Sequence, residues 1–171
     1  MTKRATLLPE RRVVRRPRAW YRVSEPMAYL SALVGRTYVL RWLTPPDLQD
    51  LRTLGPEIAD YRKRVGEPLV CLSILPNNLS PPEADVRREM ETLTKIWMNT
   101  CEVIHVFVGG EGFKPAIIRS IVSAFALATR KRGLVQVHGT LEAALSKIAE
   151  SAPADIAALR VRLNDGLTKG L

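Results

Sequence analysis

Gly109, Gly110 and Gly112 form a glycine-rich step (GGEG) directly after an apolar run and before a helical pattern. Glycine allows close backbone approach, and N–H groups at a helix start can hold an anion. The spacing is not GxGxxG, no Gly-Lys-Ser/Thr follows, and Glu111 would repel a phosphate. The step reads first as a structural turn. Its second reading is an anion- or partner-binding loop with Phe113 and Lys114 as contacts. His105 lies inside the apolar run EVIHVFV and reads as a hydrogen-bonded core histidine. His138 ends a later apolar run beside Gly139-Thr140, at the kind of strand edge where open α/β sheets bind ligands. It reads as a polar strand end, with a proton donor as the other possibility. Cys71 and Cys101 have no neighbour at metal-ligand spacing. Cys71 reads as core, and a Cys–His pairing with either histidine stays open. Asp47, Glu83 and Asp85 fall in first helical turns, where acids favour the helix dipole, so they read as structural. No catalytic residue, metal site or cofactor is expected from these types and spacings.

The elements that position these groups follow from periodicity and turn chemistry. Met27–Val34 and Thr37–Leu43 read as two strands joined by a Gly35-Arg36 turn. In the second, Tyr38, Leu40 and Trp42 alternate with Thr37, Val39 and Arg41, which predicts one face on a core. Thr44-Pro45-Pro46-Asp47 opens a helix with Thr44 as cap, and apolar residues recur from Leu48 to Val65 at three- and four-residue spacing. Gly55-Pro56 predicts a kink or brief break in it. Pro68–Leu75 reads as a strand covered on both faces. Ser80 is expected to cap a helix running to about Asn99, with Val86, Met90, Leu93, Ile96 and Trp97 inward. Glu102–Val108 is the next buried strand, Pro115–Arg132 the most hydrophobic helix, and Leu134–Val137 the last strand. Thr140 caps Leu141–Glu150. A tail helix from Pro153 offers Ile156, Leu159 and Leu163 for docking. Trp20–Val23 reads as an edge strand or linker.

Helices between successive apolar strands predict an α/β fold. The sheet is mixed and mostly parallel, of about five strands, with an initial antiparallel hairpin and four to five helices. Three segments are expected: a basic arm over 1–24, an α/β domain over 25–150 and a helical tail over 151–171. The hairpin MAYLSALVGRTYVLRWL, the TPPDL helix start and the strands PLVCLSIL and EVIHVFV together resemble the STAS-like fold over roughly residues 25–150. That is the domain of anti-sigma-factor antagonists and of sulfate-transporter tails. The resemblance implies a non-enzymatic module that acts by binding a partner protein. Some such domains are switched by phosphorylation of Ser or Thr where a central strand meets its helix. Here GGEGFKP follows one strand with no hydroxyl residue, and Ser80 after the other fits a helix cap, so the switch is not carried over.

Charge divides the chain sharply. Residues 1–24 hold eight basic residues against Glu10 alone, a net +7 of the total +9. The remaining domain is therefore nearly neutral. The arm, through Arg11, Arg12, Arg15, Arg16 and Arg18, reads either as a solvated leader or as a contact for nucleic acid or another acidic surface. With 46% hydrophobic and 25% charged residues, the chain has enough apolar surface to offset ordering entropy, which excludes a wholly disordered protein. No membrane span or signal-type apolar run is expected, which points to the cytoplasm. The expected contact surface is the edge where helices start: Asn77, Asn78, Ser80, Gly109, Gly110, Glu111, Gly112 and Phe113. The leading expectation is a regulatory module that binds a protein partner. The alternatives are a polyanion binder led by the arm, and a small-ligand carrier or enzyme at the strand-end crevice. A second copy pairing on the hairpin edge is a further expected partner.

Overall fold

The computed structural model describes residues 28–76, 82–110, 116, 118–120, 122–123 and 133–164. The expectations for the arm, Trp20–Val23, Asn77–Ser80, Glu111–Phe113 and the end of the tail lie outside these residues. The protein is α/β. Its strands are β1 (Tyr29–Val34), β2 (Thr37–Trp42), β3 (Leu69–Leu75), β4 (Cys101–Val108) and β5 (Val135–His138). Its helices are α1 (Leu48–Val65), α2 (Ala84–Thr100), α3 (Leu141–Ser151) and α4 (Ile156–Arg162). Further helical residues, including Ile118 and Val122, lie between β4 and β5.

The five strands form one sheet whose spatial order is the chain order. β1 and β2 are antiparallel, and every later pairing is parallel. Right-handed crossovers in a sheet that grows in one direction must all land on the same face. They do: Leu51, Leu54 and Ile58 of α1, Leu93 of α2 and Ile118 pack with Tyr38, Leu40, Cys71, Ile104 and Val106. The other face carries Ala32, Val39, Val70, Leu72, Ile74, Val103 and Phe107. α3 and α4 cover it with Ala144, Leu145, Ile148 and Leu159, and Leu163 follows α4 into the same cluster.

β2 differs from its expectation. All six of its residues are buried, including Thr37 and Arg41, because the C-terminal helices cover the face that alternation left to solvent. Burial lowers the Arg41 guanidinium below its ordinary range. The helix starts also shift. Asp47, not Thr44, is the N-cap of α1, and it forms a reciprocal capping box with Asp50. A residue before proline is pushed out of the α region, so Pro45 before Pro46 cannot begin a helix. Pro81 before Pro82 delays α2 in the same way, and Glu83 is its cap residue, without a side-chain cap bond. Pro56 lies inside an uninterrupted α1, held by buried Leu51, Leu54 and Ile58. Met90, expected inward, is exposed, since α2 leans on α1 through Leu93 and Ile96.

The hairpin turn is stapled to the C-terminal end of the described chain. One carboxylate oxygen of Asp155 accepts bonds from the backbone N–H of Arg36 (3.0 Å) and of Thr37 (3.1 Å) and from Thr37 Oγ1 (2.8 Å). Arg36 donates to Pro68 O, to Glu102 (2.7 Å) and to Ser151 O. Gly35 has φ +56°, and a Cβ there would stand 1.9 Å from Asp155 Oδ1. Only glycine fits this position.

Candidate functional site

Because β2 to β5 run parallel, their C-terminal ends meet at one edge of the sheet. Across it, on the face covered by α3, Arg41, Ile74, Phe107 and His138 stand in one row of register. Leu75 pairs with Val108, so the chain leaves β3 and β4 side by side. Gly109 continues β4, is buried, and donates its N–H to Leu75 O at 3.4 Å. Gly110 is exposed at φ +84°, in the left-handed region that favours glycine. Topology thus brings the segments after β3 and β4 to the same edge, although Asn77, Asn78, Ser80, Glu111, Gly112 and Phe113 lie outside the described residues.

One row behind the edge, the structure joins two residues that sequence reasoning kept apart. His105 is in register with Gln136, and His138 lies diagonally across the β4–β5 pair. His105 Nδ1 and His138 Nε2 are 3.0 Å apart and share one hydrogen bond. His105 is 1% exposed, and its Nε2 is buried with no partner among the described residues. Burial, then the neighbouring His138, pulls His105 down to about 4, with Lys147 adding to the effect and Glu150 opposing it. Burial and then Lys147 also lower His138. Both rings are therefore neutral at pH 7. His105 is the core histidine that the sequence predicts. The link to His138 left no signal in the sequence beyond each residue's place in a strand.

The open Cys–His pairing is settled by sheet alternation. Cys71 faces α1 within the first core cluster, on the opposite side of the sheet from His105. It is fully buried, and burial followed by Cys101 raises its thiol well above the ordinary range. A thiol held protonated and screened from both imidazoles is a packing group.

Two other polar clusters are structural. Glu57 accepts from Ser31 Oγ (2.6 Å) and from the hydroxyls of Tyr29 and Tyr38 (3.2 Å each). Burial and then Glu57 raise both tyrosines, so they stay neutral donors. A cleft of about 570 Å³ opens beside the hairpin turn, lined by Gly35, Arg36, Arg64, Glu67 and Pro153, among others. Its Arg36 and Asp155 are taken up by the staple, and Arg64 pairs with Asp60 at 2.9 Å and stacks on Tyr61. Among the described residues, no group of three or more His, Cys, Asp or Glu side chains could hold a metal. No described helix is long and apolar enough to cross a membrane. No family model, curated protein or solved structure matches the chain.

Proposed function

We propose that the protein is a non-enzymatic regulatory module with a STAS-like core that docks a protein partner at the edge where β3 and β4 end. The observation that carries this reading is the parallel pairing of Leu75 with Val108. It ends both strands at one place, beside the exposed Gly110, where the polar and glycine-rich stretches of the sequence begin. Two features favour docking over chemistry at this edge. Strand order follows chain order, without the reversal that opens a ligand crevice in doubly wound sheets. The two imidazoles are bonded to each other, and the Cys71 thiol lies on the far face.

A second reading rests on the arm. Its net +7 would make binding to nucleic acid or another polyanion fall steeply with salt. One experiment separates the two readings. Wild type, Asn77→Ala/Asn78→Ala/Phe113→Ala and a chain lacking residues 1–18 are compared for retention on heparin and for capture of a partner later purified for direct titration. Docking at the edge predicts that the triple variant loses at least tenfold in partner affinity with an unchanged melting curve. Equal affinity overturns it. Salt-sensitive heparin retention lost only on arm deletion supports the second reading, and retention by the truncated chain refutes it.

A further inference from the structure

Among the described residues, β5 is the outermost strand on its side of the sheet, four residues long and partly exposed throughout. β4 is its strand partner, and α3 follows after a two-residue turn capped by Thr140. The bond between His138 and His105 is a side-chain hydrogen bond from this strand into the core, beside the packing of Val135. The strands next to the pair present apolar side chains, and the charge on the same face of the sheet is buried Arg41 of β2, in the row of His138 beyond Phe107 and Ile74. β3 presents Leu72 and Ile74 on this face, and β4 presents Val103 and Phe107. α3 carries Lys147 and Glu150, paired with each other at 2.8 Å and both largely exposed. α4 carries Arg160, held by Glu142 at 2.8 Å.

We propose that His105 and His138 form a proton-operated latch that ties β5 and α3 to the sheet when neutral and frees them when both rings are protonated. The argument is one of hydrogen-bond valence. In the neutral pair, one ring N–H donates to the lone pair of the other. The first proton goes to His138, the more exposed ring. His138 Nε2–H then donates to His105 Nδ1, and the bond becomes charge-assisted. The second proton fills the remaining lone pair on His105 Nδ1. Two N–H groups then face each other without an acceptor, and a cation sits among Leu72, Val103 and Phe107. The unpartnered Nε2 offers no relief.

The sign follows from where the protons bind. His105 is lowered from 6.5 to about 4, so between those values the folded chain holds fewer protons than the unfolded one. The stability contributed by His105 is complete above pH 6.5 and is lost as the pH falls through this window. The latch does not depend on the docking reading.

Hydrogen exchange of the full chain between pH 7 and pH 4, corrected for intrinsic rates, tests it, together with NMR titration of both rings. Opening of β5 and the first turn of α3 should rise on the order of a hundredfold more than opening of β2 and β3. His105 should titrate near 4 and after His138. In His105→Leu/His138→Leu the differential should vanish. Parallel responses of β5 and β2 in the wild type, or a His105 that titrates in the ordinary range, overturn the latch. Should the double variant not fold, His138→Gln keeps a neutral bond without the first charge. The His105 titration must then move up, and an unmoved titration counts against the proposal.

Discussion

The two ends of the sheet are held by opposite strategies. At the hairpin-turn end, several bonds converge: Asp155 collects three hydrogen bonds and Arg36 reaches three separate acceptors. Near the strand-end edge, β5 is tied inward by a bond between two neutral imidazoles, with a buried nitrogen left over. The first arrangement spreads the hold over six separate bonds. The second exists only while at least one ring keeps a lone pair. One end is thus a fixed clamp and the other is conditional, and the conditional end is where the proposed docking segments leave the sheet.

The largest expected effect is at the clamp. Gly35→Ala adds left-handed strain and drives a methyl into the Asp155 carboxylate, so a loss of about 3–5 kcal/mol is expected. A thermal melt should show a drop on the order of 10 °C. A drop no greater than that of Asp155→Ala would mean that the clamp yields. Asp155→Ala itself leaves the fully buried Thr37 hydroxyl and two backbone donors unpaired, for about 2–3 kcal/mol in urea unfolding. The smallest effect is at the other end. Replacing both histidines with leucine removes donor and acceptor together, so stability at pH 7 should change by less than about 1 kcal/mol. A loss as large as that of Asp155→Ala would erase the contrast between the two ends.

Much of the fold was legible because strand runs and helix periodicity are local. The hairpin, PLVCLSIL, EVIHVFV and the helix from Leu48 announce themselves by apolar spacing and turn residues. What was not legible depends on partners distant in the chain. The burial of Thr37 and Arg41 on β2 comes from helices more than a hundred residues away. The clamp joins Arg36 and Asp155 across 119 positions. The histidine pair depends on the register of β4 against β5, and one residue of slip would separate the rings. The helix starts were misplaced for a local reason that was available: consecutive prolines exclude the first of them from a helix. Of the candidate site, the shared edge of β3 and β4 followed from the predicted parallel order, whereas the segments beyond Pro76 and Gly110 lie outside the described residues.

Strand order that repeats chain order has a consequence for how the molecule comes into being. During synthesis each new strand finds its neighbour already in place, and α1 and α2 settle on their face in sequence. The opposite face has no such luck. Ala32, Val39, Val70 and Leu72 have their cover in α3 and α4 and must wait for Leu145, Ile148 and Leu159 to emerge. The growing chain therefore carries a bare apolar surface until α3 and α4 are made, and a ribosome stalled near residue 140 would leave a sticky half-sandwich for chaperones to shield.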